Sequence, residues 1–396
     1  MSDNLLNKVF FTEKDGDISG TAERDPLGLQ PIWSFYGRQV INHLTTVSTT
    51  IHGFREVLLC LSICNEINGT KKVLSYSDLI LLFEQLFIYI SISKGKDKGI
   101  LGADNGKAKF NAYNKNPEIS LKQTILVREI SLGYYGRYKS PLSTMGIIDS
   151  RSVLLIDQEE IKNYYGVSRY NKILVGFKNF IDNFDKNKKF NNFTAKDELY
   201  EAVFGKFRET ECNFWLNRLY EVDGETKELM KKCYSLANKD IIPEDSFYKL
   251  KSFNEVENII KLESFLRCLE EVFFKVMSSK DIRSIKIDNI NEHKKRYDEF
   301  CKISNYSDSQ LFNVRIKYLK ENCSPDSENY IKNVIKYHEL VCKQKKSSVW
   351  VDLDSVGRLK SFVNVNDVAI DINQWGRYYY FSSLQSVKTE IEEFSK

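Results

Sequence analysis

Asn254-Glu-Val-Glu-Asn-Ile-Ile-Lys-Leu-Glu-Ser-Phe-Leu-Arg-Cys-Leu-Glu-Glu-Val-Phe-Phe-Lys-Val-Met277 is the stretch that decides the fold class. Leu262, Phe265, Leu266, Leu269, Phe273 and Val276 recur at three and four residues, which places them on one stripe of an α-helix. Weaker versions of the same period flank it and predict helices over 198–207, 211–220, 225–236, 309–319 and 327–341. No repeat of 20 to 50 residues recurs, so a solenoid is not supported. After 345 the pattern changes. Ser348-Val-Trp-Val-Asp-Leu353 and Arg377-Tyr-Tyr-Tyr-Phe381 read as strands and 382–394 as a closing helix, a small α+β cap.

Toward the N-terminus, 1–24 reads as an irregular leader and Asp25-Pro-Leu-Gly28 as the turn where structure begins. Two helices are predicted between Ile32 and Glu66, separated by the hydroxyl run Thr45–Thr50. A third follows, with Ser77 as N-cap and Asp78 complementing the helix dipole. Residues 93–116 read as a glycine- and lysine-rich loop. Its Gly102-Ala-Asp-Asn-Gly-Lys-Ala108 is not a nucleotide-binding loop: three residues separate the glycines where four are required, and Ala108 stands where a Ser or Thr would reach magnesium.

Between 119 and 182, Ser120 is expected to cap a helix running to Leu132, and 141–148 to form a short helix ending in a strand. A strand over Arg151–Ile156 and a helix over Asp157–Tyr165, stopped by Gly166, complete a winged-helix-like order. The expected fold is therefore mainly α and multidomain. It comprises a helical N-terminal domain (25–118), an embedded winged-helix-like module (119–182), a helical middle (183–345) and the α+β cap (346–396).

The chain has 396 residues and a net charge of +4 from 58 basic and 54 acidic groups, so a nucleic-acid partner must be met by a local patch. The apolar run 79–92 is shorter than the ~20 residues of a bilayer span and contains Glu84 and Gln85. With no secretory signal pattern at the N-terminus, the expected location is the cytoplasm, off the membrane, with the eight cysteines reduced. Cys60 and Cys64 stand one helical turn apart, but zinc needs two further donors that no Cys-x-x-Cys or His-x3-His pair supplies. No cofactor is expected.

Two constellations could carry chemistry. Arg38-Gln-Val-Ile-Asn-His43 fits the Arg-x4-His spacing of HEPN-type ribonucleases, although Gln39 stands where those enzymes carry a small polar residue. Asp352 and Asp354 alternate on a predicted strand, as two magnesium-binding carboxylates would, and Asp367 and Asp371 could join them. No acidic-x-Lys dyad follows on a neighbouring strand. Against each stands the plainer reading of a surface arginine, a packed histidine and a solvated strand face.

Nucleic-acid contact has broader support. Tyr134-Tyr-Gly-Arg-Tyr-Lys139 interleaves rings with Arg137 and Lys139, and Arg151, Arg169, Lys172 and Lys178 lie near the expected wing or the helix after it. Further cations cluster at 186–189, 294–296 and 343–346.

Asp25-Pro-Leu-Gly28, Trp33, Leu44-Thr-Thr-Val47, Leu86 after Glu84-Gln85, Gly99-Ile-Leu-Gly102, and Gly133-Tyr-Tyr-Gly-Arg-Tyr138 before Met145-Gly-Ile-Ile148 form a pattern over about the first 170 residues. It is similar to uncharacterised bacterial proteins of phage-defence islands. The resemblance implies bacterial origin and membership of a multi-gene antiviral system, with no catalytic residues to carry over. The expectation is a non-catalytic DNA-binding or scaffolding subunit with DNA or RNA and other protein subunits as partners. The alternatives are a nuclease through Arg38/His43 or Asp352/Asp354, and a protein-interaction adaptor.

Overall fold

The computed structural model describes residues 25–68, 74–96, 98–122, 124–126, 129–184, 188–220, 225–304, 310–362 and 370–395, and it is mainly helical. Two compact units emerge, each drawn from discontinuous stretches. Among the described residues the first takes Asn42–Tyr234 with 382–395, and the second takes 25–41 with Ser235–Phe381. Elements are numbered in chain order.

The second unit contains α1 (Gln30–Val40), which docks on the long helix read from sequence. The first unit is built on α2 (Ile51–Asn68) and α3 (Tyr76–Ser93), both buried around nearly their whole circumference. Helices apolar on all sides belong at the centre of a core. Ser75 rather than Ser77 caps α3: its hydroxyl accepts the Asp78 N–H at 3.1 Å while the Asp78 carboxylate takes the Ser75 N–H at 3.2 Å. This reciprocal pair satisfies two of the orphan donors of the first turn. α3 is also the one described helix long and apolar enough to cross a bilayer, and 72% of it is buried inside the protein.

Around this pair stand α4 (Ala103–Ala112), α5 (Glu129–Leu132), α6 (Tyr134–Thr144), α7 (Gln158–Tyr165), α8 (Val167–Asp182), α9 (Lys196–Phe204), α10 (Glu209–Leu219) and α11 (Glu225–Leu236). α4 occupies ground read from sequence as loop. Gly106 makes it possible, because a Cβ there would lie 2.7 Å from Ile92 Cδ1. The helix over 121–132 shrinks to α5, and α6 begins seven residues before the predicted short helix. Of the predicted β-ribbon, a single bridge joins Ile148 and Leu154. α7 forms where read, with Gly166 at φ 84° ending it.

In the second unit follow α12 (Pro243–Lys249), α13 (Asn254–Ser278), α14 (Ile290–Cys301), α15 (Gln310–Asn322) and α16 (Tyr330–Lys345). α13 carries α1, α14 and α16 against its apolar stripe. β1 (Val351–Leu353) and β2 (Leu359–Ser361) then form an antiparallel hairpin, before α17 (Phe381–Phe394) returns to the first unit. The predicted strand at 377–381 is instead a turn, with Tyr379 and Tyr380 at φ 45° and 67°. The hydroxyl of Tyr379 and the N–H of Gly376 both donate to buried Glu263 of α13, at 2.8 and 2.7 Å. Those bonds hold the segment off the sheet.

His338 of α16 is fully buried between two backbone groups. Its Nδ1 lies 2.8 Å from the Pro26 carbonyl oxygen, and its Nε2 accepts the Trp350 N–H at 2.8 Å. Only the neutral ring protonated on Nδ1 serves both. Burial holds the imidazole below its ordinary value, partly opposed by the Pro26 carbonyl. The folded state therefore binds fewer protons than the unfolded one, so stability is lost as pH falls through and below the unfolded value of about 6.5. The second unit should melt at a lower temperature at pH 5 than at pH 7, by at most ~1.4 kcal/mol per pH unit for one proton. His338→Gln should remove that increment in a pH series of thermal melts; an unchanged slope would refute the assignment.

Candidate nucleic-acid interface

A local excess of positive charge lies between Lys94 and Lys122. Lys94, Lys96, Lys98, Lys107, Lys109, Lys115 and Lys122 are offset there only by Asp97, Asp104 and Glu118. That stretch alone carries the net charge of the whole chain, +4. The fold sets it beside a second basic strip, 188–196. Ile119 N–H donates to the Lys188 carbonyl at 2.7 Å, Phe190 N–H to the Pro117 carbonyl at 2.9 Å, and Asn191 N–H to Asn116 Oδ1 at 2.9 Å. Beneath, Phe110 and Tyr89 pack on Phe190 at centroid distances of 5.8 and 5.9 Å, which makes the seam a packed part of the first unit.

The result is a lysine rim running along α4, itself about 15 Å long. At one end Gly95 and Gly99 (φ 70° and 76°) shape the loop that exposes Lys96 and Lys98. A Cβ at either glycine would meet nothing within 4 Å, so the positive φ is what calls for glycine there. At the other end stand exposed Lys115 and Lys122, with Lys189 Nζ 5.7 Å from the ring of exposed Tyr113. Lys96, Lys98, Lys115 and Lys122 have no carboxylate within ion-pair distance among the described residues. Lys94 does, at 2.6 Å from Asp197. Lys196 lies 4.3 Å over the Phe190 ring, and burial holds its ammonium below the ordinary lysine value.

Of the cations singled out from sequence, Lys188 and Lys189 belong to this rim; Arg137, Lys139, Arg151, Arg169 and Lys172 have other settings. Arg137 is only 7% exposed, on the inward face of α6 between buried Tyr134 and Tyr138. Lys139 lies 5.6 Å over the Tyr135 ring. Arg151 is 83% exposed but pairs with Asp149 at 3.1 Å. Arg169 donates to the Glu201 carbonyl at 3.4 Å, and Lys172 pairs with Glu198 at 3.1 Å beside an open cleft of about 540 Å³ between α8 and α9. In the cluster at 294–296, Lys294 pairs with Asp326 and Arg296 with Glu292. Residues 186 and 187 lie outside the described residues.

The catalytic candidates are dispersed too. α1 ends at Val40, so the single helix expected to carry Arg38 and His43 stops short of the histidine. Arg38 is exposed on its last turn, His43 is 2% exposed, and the two fall in different units. The hydroxyl run after His43 is absorbed locally: Ser48 Oγ accepts the Thr45 N–H at 2.7 Å, and Tyr138 Oη bonds Thr50 Oγ1 at 2.7 Å. Asp352 faces Lys360 across the hairpin. Asp354 accepts the N–H groups of Val356 and Arg358 at 2.9 and 2.8 Å, which makes it the residue that closes the turn. Asp371 accepts the Asn373 N–H in the same manner, and Asp367 lies outside the described residues.

Cys60 and Cys64 lie 4.0 Å apart, Sγ to Sγ, in the core of the first unit. Among the described residues no three His, Cys, Asp or Glu side chains converge on a metal position. Glu56, one turn before Cys60, is fully buried, with no hydrogen-bond partner on either carboxylate oxygen among the described residues. Desolvation, and secondarily Cys64, holds its carboxyl well above the usual range.

Comparison of the chain with protein-family models, with curated proteins and with solved structures finds no match.

Proposed function

We propose that this protein is a non-catalytic nucleic-acid-binding subunit that grips phosphates through the lysine rim of its first unit. Its partners in this reading are DNA or RNA and the other protein subunits of a prokaryotic anti-phage system. The observation that carries it is the rim itself: four exposed lysines without a counter-ion among the described residues, joined by Lys188 and Lys189 along one packed seam. A phosphate chain is the polyanion such a row fits, since a duplex presents one charge per ~1.7 Å of axis and binding releases condensed counterions.

Six such contacts predict that the logarithm of the association constant falls with the logarithm of salt at a slope of about −5 on duplex and about −4 on single strands. Lys96→Glu, Lys115→Glu and Lys189→Glu together should reduce that slope by about 2 to 3 and weaken binding at least 100-fold at low salt. Fluorescence anisotropy with labelled oligonucleotides across a salt series reads both. Binding indifferent to salt, or untouched by the triple reversal, refutes the proposal.

A second reading keeps the winged-helix order of 119–182. It is favoured by the exposed turn between Ile148 and Leu154, where Arg151 stands beside exposed Val153. Arg151→Glu would weaken binding in that case and leave it intact if the rim alone contacts the ligand.

A further inference from the structure

We infer that the ligand of the lysine rim is single-stranded nucleic acid, with Tyr113 as the platform on which an unpaired base stacks; this rests on the nucleic-acid reading above. Tyr113 is the C-cap residue of α4 and is 51% exposed, among the most exposed rings in the described residues. Large aromatic surface left in water at a cationic edge is the arrangement single-strand binders use: lysines neutralise the backbone and a ring takes the face of a base. A paired duplex has no base face to offer, because each is already stacked in the helix. Lys189 sits over Tyr113 at 5.7 Å from the centroid and reinforces the ring's attraction for a phosphate strand running past it.

The corner that presents the ring is strained and braced. Asn114 and Lys115 both adopt left-handed backbone, at φ 49° and 60°. Asparagine tolerates this region, but for lysine it costs on the order of 1–2 kcal/mol. The turn is held by Lys115 N–H donating to the Phe110 carbonyl at 2.8 Å and Asn116 N–H to the Tyr113 carbonyl at 3.0 Å. Asn116 is in turn tied to the second strip through Asn191. Strain kept in place by surrounding bonds, next to an exposed ring and unpaired cations, marks a functional surface more than a loop end.

The test uses the full chain with a labelled pyrimidine-rich single strand and the matching duplex, in DNA and RNA forms. The single strand should bind more tightly than the duplex. Tyr113→Ala should weaken single-strand binding by about 5- to 150-fold, the range that ~1–3 kcal/mol of base stacking implies, with duplex affinity and the salt slope unchanged. Tyr113→Phe and Tyr113→Trp should retain single-strand affinity, which separates stacking from any loss of the tyrosine hydroxyl. Duplex binding as tight as single-strand binding, or a Tyr113→Ala protein that holds single strands as well as wild type, overturns the inference while leaving the rim as a phosphate site. Absence of salt-dependent binding to either form overturns both.

Discussion

Arg55→Met should cost the first unit about 3–5 kcal/mol, because it leaves a carboxylate buried without its cation. Arg55 lies inside α2, with Nε 2.7 Å from Glu211 Oε1, Nη2 3.3 Å from Glu211 Oε2, and Nη1 donating to the carbonyls of Val203 and Gly205 at 2.5 and 2.9 Å. Its guanidinium also lies 4.6 Å over the Phe207 ring. One side chain thus satisfies the end of α9 and the start of α10 from within α2. Adding Glu211→Leu should recover about half the loss, since the stranded carboxylate goes but the two carbonyls stay unpaired. The pH dependence has a definite sign. Burial already holds the Glu211 carboxyl above its usual value, against the pull of Arg55. Removing Arg55 raises the folded-state value further, so the single variant's deficit should shrink as pH falls and Glu211 takes up its proton. Chemical denaturation at pH 5 and pH 8 tests this; a deficit that grows on acidification would contradict it.

Glu263→Ala should have a loss of similar size in the second unit, about 3–5 kcal/mol, localised at the turn before α17. Glu263 accepts from Tyr379 Oη, from Gly376 N–H and from Arg377 Nη1, the last at 3.4 Å to Oε2. Arg377 also pairs with Glu270, which Arg267 holds at 2.7 Å. Truncation strands three donors at once. Hydrogen exchange should show lost protection at Gly376 and neighbouring amides, and fluorescence of Trp375, stacked on Phe247 at 5.2 Å, should shift toward that of a solvated indole. Protection equal to wild type across 371–380 would show that α13 does not hold the turn through this carboxylate.

These two clusters also mark how far the residues speak for themselves. The apolar stripe of α13, the helix stopped by Gly166 and the helix at 225–236 depend on local period and end signals, and they form within a few residues of where those signals lie. α4 was hidden in a stretch whose glycines and lysines read as loop, and only the closeness of Ile92 turns Gly106 into a packing requirement. The ring-rich 377–381 segment reads as a strand, yet Glu263, more than a hundred residues earlier, takes its donors. Arg137 looked like a phosphate contact because charge is visible in sequence and burial is not. The lysine excess of 94–122 was countable from the start. Its status as a surface was not, because that depends on Pro117 to Ile119 lying against 188–190.

Sequence by itself determined that this chain is mainly helical, where its best-marked helices run, and that its positive charge is locally concentrated; these are short-range properties, written in periodicity, caps and counts. Tertiary structure alone decided that α1 joins the later unit and α17 the earlier one, which charges are consumed in buried pairs, and which lysines stand in water. The physical reason is that burial and ion pairing are settled by residues distant in the chain, and a side chain's chemistry follows from what surrounds it.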